Sequence, residues 1–386
     1  MRILVDAIPL LGLMTGIGRY LRSLYGAMKT DEGCRDIQVD FFDGRKIYDS
    51  MPQAAEPSRW ARYIGTLWKL PDPAVFTLRC LHWLGYENRL QRLCHKKPYD
   101  IYHEASFTPA ALSTVPQVFS LCDLSLLRYP ETHPRERVWF FKHFWRRKMG
   151  YATHIMTLSE YTRKETCEIL RWPENRVTAV PLAPAEVFRP RPREHVAATC
   201  RALGLPEDYL LFVGSLEPRK NIGLVIEALE RCRFAIPLVL VGWEAWGEKR
   251  WLEAARSKGL EKRIMIVGYV DDETLARLYS GATALVYPSL YEGFGLPILE
   301  AMACGCPVIC SNVSSMPEVA GDAARLIDPF DAEDLAAAID EVTDSSAYRA
   351  HLSQKGLRRA AAFSWTQTAR KTLAVFRKVL EKNRVS

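Results

Sequence analysis

The stretch LYEGFGLPILEAMACGCPVI (Leu290–Ile309) sets two carboxylates, Glu292 and Glu300, on either side of a turn built from Gly293, Phe294, Gly295 and Leu296. The run ALVYPS before it reads as a strand that finishes at Ser289, and Pro297 suits the first position of a helix. Strand, glycine loop and helix in that order make one repeat of a doubly wound α/β sheet, whose ligands bind beyond the carboxyl ends of the strands. Gly293 and Gly295 let the backbone approach a ligand closely, and the helix N-terminus presents N–H groups and a positive dipole to an anion. A phosphate fits there. Glu300, about one turn into the helix, is placed to accept hydrogen bonds from the vicinal hydroxyls of a ribose. Glu292, on the loop, reaches a second polyol.

Outward from this stretch, short β-branched or apolar runs alternate with segments of helical period, the pattern of parallel βαβ units. Two series of strands are expected. The first comprises Ile3–Asp6, Gln38–Phe42, Asp100–His103, Gln117–Leu121, Ile155–Leu158 and Val177–Val180; the second comprises Tyr209–Gly214, Leu238–Gly242, Ile264–Gly268, Ala284–Tyr287, Val308–Cys310 and Arg325–Ile327. Between them the proline-rich PLAPAEVFRPRPREHVAA reads as an extended linker, which puts a domain boundary near Arg189. The tryptophan-rich, basic stretch Asp49–Pro98 resists assignment to strands. Two such sheets facing each other would form a cleft lined by strand ends.

A second loop meets the same requirement. In FVGSLEPRKN a strand ends at Gly214, and the loop delivers Arg219 and Lys220 before a helix opens at Asn221. Arg offers a fork of donors and Lys a point charge, a combination suited to a diphosphate. Together the two loops describe a site for a nucleoside diphosphate joined to a sugar.

Composition bounds the alternatives. A chain of 386 residues with 48% hydrophobic and 25% charged residues can build two or three domains around large cores. Its opening, MRILVDAIPLL, runs into a strand without the parts of a signal peptide. Ten cysteines in such a chain are expected to be free thiols of a reducing compartment, so a cytoplasmic location follows. Cys304, Cys306 and Cys310 lack the paired spacing of a zinc site and read as core packing. The formal charge of +7 is uneven: residues 1–190 carry 27 Lys and Arg against 20 Asp and Glu, while the remainder is balanced. A basic first half suggests anionic partners, either phosphorylated substrates or a peripheral contact with the inner face of a membrane. Nucleic acid is not expected, because no recognised binding module is present. The segment HPRERVWFFKHFWRRKMG could face a membrane, but Val138, Phe141, Trp145 and Met149 recur at helical spacing, so a core stripe with a solvated basic face is the preferred reading.

The order and spacing of these motifs resemble the retaining glycosyltransferases of family 4, which have the two-domain GT-B architecture. The resemblance covers nearly the whole chain, from TGIGRY through GSLEPRKN, VGYVDDETLARLYSGATALVYPSLYEGFGLPILEAMACGCPVICSN and MPEVAGDAARLIDP to FSWTQTA. It implies an N-terminal acceptor-binding Rossmann-like domain over residues 1–189, a nucleotide-sugar-binding domain over 190–365, and a C-terminal helix over 366–386 returning toward the first domain. It implies that Arg219 and Lys220 grip the donor diphosphate, with Gly214 beside them. Glu300 would hold the ribose, and Glu292 would contact the transferred sugar near the reacting carbon. The backbone of Gly293–Leu296 would bind phosphate or sugar hydroxyls, and Gly268, Tyr269 and Val270 would meet the base. TGIGRYLRSL, with Gly16 and Gly18, and DLSLLRYPETHPRER look most like the mannosyltransferases of the family, so GDP-mannose is the implied donor and a saccharide or lipid-linked saccharide the implied acceptor. Gly16 and Gly18 do not make an NAD site, since Leu21 stands where a third glycine would be needed.

No Asp-any-Asp motif for a metal stands in either half, and the donor is a substrate, so neither metal nor other cofactor is expected. The departure from the family lies in QVFSLCDLS, where relatives carry a histidine before the aspartate and this chain has Cys122 before Asp123. His103, at the end of the preceding strand, is the candidate to project toward substrate in its place. Two other functions fit less well: a catalytically silent nucleotide-sugar-binding scaffold, supported by Cys122 alone, and a sugar-nucleotide epimerase of similar build, which the Arg-Lys loop and paired glutamates disfavour.

Overall fold

In the computed structural model, which describes residues 1–12, 16–53, 70–106, 108–243 and 250–385, the two series of strands form two separate sheets. One compact unit comprises Met1–Leu182 with Trp365–Ser386, and the other comprises Ala183–Ser364. The passage between them lies at Leu182–Ala183, ahead of Arg189.

The first unit holds β1 (Arg2–Asp6), β2 (Gln38–Phe42), β3 (Ile47–Tyr48), β4 (Ile101–Glu104), β5 (Gln117–Leu121), β6 (Ala152–Thr157) and β7 (Val177–Ala179), in the spatial order β3-β2-β1-β4-β5-β6-β7. All pairs are parallel except β2 with β3, a two-residue edge strand too short to be read from the sequence. The C-terminal helix Trp365–Val385 belongs to this unit: Thr368 Oγ1 donates to the Pro181 carbonyl at 2.7 Å, Arg370 Nε donates to Asp31 at 2.8 Å, and Ala369, Leu373 and Phe376 are buried.

The second unit holds β8 (Leu210–Val213), β9 (Leu238–Val241), β10 (Ile264–Gly268), β11 (Ala284–Tyr287), β12 (Val308–Ser311) and β13 (Arg325–Ile327), in the order β10-β9-β8-β11-β12-β13, all parallel. β8, β9, β11 and β12 are buried along their whole length, as strands covered by helices on both faces must be. Leu210, Phe212, Leu238 and Leu240 pack with the helices Ile222–Arg231 and Ala332–Asp344 in one apolar cluster. The order reverses between β8 and β11, which makes the crevice outside their carboxyl ends the switch point where such sheets take ligands.

Two expectations change. The linker is extended only as far as Pro192, because Arg193–Leu203 is a helix that ends at Gly204 in the left-handed conformation (φ +65°). Past Pro192 no breaker interrupts the run before that glycine, and Thr199 and Cys200 supply a buried face. The stretch Asp49–Pro98 contains a 25-residue helix, Asp72–Lys96, held by buried Trp83, Tyr86, Leu90 and Cys94 at helical spacing; its residues 54–69 lie outside the described part. In the segment 133–150, Val138, Phe141, Trp145 and Met149 are buried, as the core-stripe reading requires. Cys304, Cys306 and Cys310 are buried too.

The backbone of the second sheet is tightest where Gly242 (φ +146°) meets Gly214: a Cβ on Gly242 would stand 1.9 Å from the Gly214 carbonyl oxygen. Gly242→Ala is therefore expected to lower unfolding stability by about 3 kcal/mol or more through clash and backbone strain. Gly223, in the helix Ile222–Arg231, has nothing within 4 Å of the position of a Cβ, so Gly223→Ala should raise stability by about 0.5–1 kcal/mol. Urea unfolding of both variants checks the pair, and equal effects would contradict the close backbone approach.

Candidate active site

Gly214 follows β8 and Ser289 comes two residues after β11, so the two loops read from the sequence leave the sheet from adjacent strands at its switch point. In the first loop Pro218–Lys220 forms one tight 3-10 turn, closed by Asn221 in the left-handed region (φ +59°), which asparagine tolerates better than most residues. The Asn221 side chain donates to the carbonyls of Pro288 (3.2 Å) and Pro329 (2.8 Å), and Leu290 N–H donates to the Arg219 carbonyl at 2.9 Å. Each loop is fastened to the other.

The charged side chains then converge. Lys220 Nζ lies 2.6 Å from Glu292 Oε1, across 72 residues of sequence, and Arg219 Nη1 lies 3.1 Å from Glu292 Oε2. Arg219 Nη2 pairs with Glu217 Oε1 at 2.5 Å, and Arg219 Nη1 also donates to the Tyr291 carbonyl. Lys220 makes a second hydrogen bond to Tyr287 Oη at 2.9 Å, with its ammonium 5.0 Å from the centre of that ring. All four charged side chains are nearly buried. Burial alone would raise the Glu292 carboxyl, but Arg219 and Lys220 outweigh it and hold the group down at about 2. The carboxylate is ionised. An ammonium has three N–H groups, Glu292 and Tyr287 take two, and among the described residues the third has no acceptor.

The glycine loop is shaped by the segment after β12. Ser314 Oγ accepts from Glu292 N–H at 3.1 Å, and Ser315 Oγ lies 2.8 and 2.9 Å from the carbonyls of Glu292 and Phe294. Phe294 is buried against Phe363, with ring centres 6.2 Å apart. Gly295 (φ +98°) caps the helix Leu296–Ala303, which begins one residue before Pro297. Glu300 is buried in this helix, and Tyr279 donates to its Oε2 at 3.1 Å. At the next strand end, Gly268 is positive in φ (+80°), Gly242 N–H donates to its carbonyl at 2.9 Å, and Tyr269 stacks on Trp243 with ring centres 4.7 Å apart. Val270 follows, partly exposed. Glu217, Tyr287, Ser314, Ser315 and Trp243 were not identified from the sequence. Strand-end positions adjoining the two loops were the available signal.

The other expected residues belong to the first unit. Gly16 and Gly18 sit in the first turn of the helix Gly16–Thr30, and Asp123 accepts the Ser125 N–H at 2.8 Å in the turn after β5. Burial pushes the Cys122 thiol up to about 12. His103 does not project toward a ligand, and the expectation is corrected: the ring is fully buried, with Tyr25 Oη 2.5 Å from Nδ1, Ser120 Oγ 2.8 Å from Nε2 and Phe376 packed at 5.5 Å. Burial lowers it to about 3, so the imidazole is a neutral core residue.

Known proteins resemble both units. The family described as glycosyl transferases group 1 matches residues 201–359. O-antigen chain mannosyltransferase B of Escherichia coli is 32% identical over 388 residues, covering 98% of this chain and all of that protein. The MMP alpha-(1->4)-mannosyltransferase of Mycolicibacterium hassiacum is 27% identical over 335 residues, 80% of this chain and 76% of its own length. Among solved structures, sucrose-phosphate synthase from Thermosynechococcus elongatus superposes over 99% of this chain and 100% of its own with a TM-score of 0.74 at 22% identity. Anabaena Alr3699/HepE in complex with UDP and glucose superposes over 98% and 100% with a TM-score of 0.71 at 17% identity. These likenesses fix the fold as GT-B.

The Glu292 ion pairs predict a pH signature. The folded value of about 2 lies below the ordinary 4.5, so the stabilisation is complete above about pH 4.5 and is lost as pH falls toward 2. Glu292→Gln, which leaves Arg219 and Lys220 without their shared carboxylate, should be less stable than the parent by about 3 kcal/mol near neutrality. That gap should hold down to about pH 5 and close between 4.5 and 2. Denaturant unfolding of both chains at a series of pH values checks it, and a gap that stays constant through the window would show that Glu292 is not the titrating partner.

Proposed function

The chain belongs to the glycosyl transferases of group 1, and on that premise we propose that it is a retaining transferase of family 4 that moves mannose from GDP-mannose to a saccharide or lipid-linked saccharide. The observation that carries the reading is the buried ammonium of Lys220, fixed by Glu292 and Tyr287 beside Arg219 at the switch point of the second sheet. An anion arriving at its third N–H meets two cations that need no reorganisation, the condition under which electrostatic stabilisation of a leaving diphosphate is strongest. Support for mannose comes from the names of the two relatives above, both mannosyltransferases.

In this reading Arg219 and Lys220 hold the diphosphate and supply charge that a divalent ion would otherwise supply. The turn Gly293–Leu296 binds phosphate or sugar hydroxyls, Glu300 binds the ribose, and the strand end Gly268–Val270 receives the base. Glu292 stands near the reacting carbon. As the bond from sugar to phosphate breaks, positive charge grows on the ring and negative charge on the diphosphate. The leaving phosphate takes the acceptor's proton on the face from which it departs, which retains the anomeric configuration. The first unit receives the acceptor, with Asp123 the side chain assigned to it there. The ten cysteines, free among the described residues, fit work in the cytoplasm at the inner face of a membrane where a cell-surface polysaccharide is assembled.

Two measurements test the assignment. GDP-mannose should raise the thermal midpoint more than UDP-glucose or NAD, since binding to the folded state adds stability in proportion to occupancy. Equal shifts, or a shift with NAD alone, would exclude it. Lys220→Ala should reduce turnover of GDP-mannose by about 100-fold or more.

The two glutamates should fail differently. Glu300→Gln should mainly raise the KM for donor, and Glu292→Gln should mainly lower kcat, because one contact is equal in ground and transition states and the other strengthens as the ring becomes cationic. Initial rates across a donor series separate them; a parent-like kcat in Glu292→Gln would remove it from the reaction.

A further inference from the structure

The helices Asp72–Lys96 and Arg135–Lys148 of the first unit pack side by side. Arg79 pairs with Glu136 at 3.1 Å, Trp83 meets Phe140 at 6.2 Å, and Lys148 pairs with Glu87 at 2.5 Å. These ion pairs have a consequence for the outer surface. Glu87 and Glu136 are buried, and the one other carboxylate on either helix is Asp72 at the first position, partly buried. No fully exposed acid remains along either helix.

What is exposed is apolar or basic. Leu78 (49% exposed), Leu81 (62%) and Leu84 (47%) stand on the outward arc of the first helix, at spacings of three that keep them on one side, and Trp139 (37%) stands on the neighbouring helix. The Trp139 and Phe76 ring centres are 6.5 Å apart, so the leucine-bearing half of the first helix and Trp139 lie together. Arg92 and Lys96 continue the same outward arc toward the C-terminus, and Lys142 is exposed one turn beyond Trp139. Large apolar side chains in water with cations beside them, on two helices that hold no fully exposed carboxylate, have the composition of a surface that lies on an anionic bilayer. Among the described residues no helix is long and apolar enough to cross a membrane.

We propose that this two-helix face docks on an anionic lipid surface, with Leu78, Leu81, Leu84 and Trp139 entering the interface and Arg92, Lys96 and Lys142 meeting lipid phosphates. The charge argument selects this occupant: a second copy of the chain would set these cations against their own kind, and a neutral apolar partner would leave them unpaired. The use of the contact, holding the enzyme where a lipid-linked acceptor is presented, rests on the transferase reading above; the binding itself does not.

Flotation of the full chain with vesicles tests it, comparing phosphatidylcholine alone with phosphatidylcholine containing about one third phosphatidylglycerol. Binding is expected to the anionic vesicles, with little to the neutral ones and a decline as salt rises. Leu78→Ser with Leu81→Ser and Leu84→Ser should weaken it by about 10-fold or more, and Arg92→Gln with Lys96→Gln and Lys142→Gln by roughly 100-fold, at about fivefold per cation. Both variants should keep the parent's circular dichroism and its turnover of a water-soluble acceptor, because all six side chains are exposed. Absence of vesicle binding, equal binding to both compositions, or parent-like binding by both variants would overturn the proposal. So would self-association of the lipid-free chain that the leucine variant abolishes. Vesicle binding by a chain that transfers no sugar would still support it and would count against the transferase reading alone.

Discussion

The shared carboxylate of Glu292, held by Lys220 and Arg219, is the interaction on which the second unit's site depends. Taking four charged groups out of water is costly, and it is tolerated because nearly every polar atom in the set meets another: Glu217 on Arg219, Tyr287 on Lys220, the Tyr291 carbonyl on Arg219. The pairs of Glu292 with Arg219 and Lys220 also tie two loops together, since they join the turn after β8 to the turn after β11. Removing one member would therefore both strand a buried charge and loosen the loops. Local stability and the fixed placement of the two cations have one physical source.

The strand order explains why these loops meet. β8 and β11 are separated in sequence by two further strands and their helices, yet they are neighbours in the sheet because the chain winds outward to β10 and then returns to the other side of β8. At that reversal the two loops are joined through Asn221, the Arg219 carbonyl and Lys220, and on the other side of β8 Gly242 closes directly on the Gly214 carbonyl, where a side chain would not fit.

The first unit reverses its order between β1 and β4 and uses the corresponding strand ends differently. Burial raises the Asp6 carboxyl to about 7 and the Glu104 carboxyl well above its ordinary range, and the hydrogen bonds each accepts only partly offset it. Their partners are Tyr86 and the Ile8 N–H for Asp6, and Gln117, Ser106 and the Ala110 N–H for Glu104. His103, beside Glu104, is likewise neutral. Equivalent places in the two sheets thus differ: in the second unit arginine and lysine hold a carboxyl down, while in the first burial raises two carboxyls.

Period and spacing in the sequence sufficed for the parallel strands of both sheets and for the order of the Arg-Lys loop and the glycine loop, because these are local: a buried parallel strand needs a short apolar run, and a positive φ favours glycine. The helix Asp72–Lys96 was harder to read because its apolar residues are not confined to one face: Trp83, Tyr86 and Leu90 point inward while Leu78, Leu81 and Leu84 point out. His103 shows the other limit. Alternation along β4 puts it on one face and Glu104 on the other, but only the packed helices Gly16–Thr30 and Trp365–Val385 decide that its face is core, through Tyr25 and Phe376. The ion set around Glu292 was legible as residue types and not as contacts, since a distance of 2.6 Å across 72 residues exists only once the sheet has brought the two loops together.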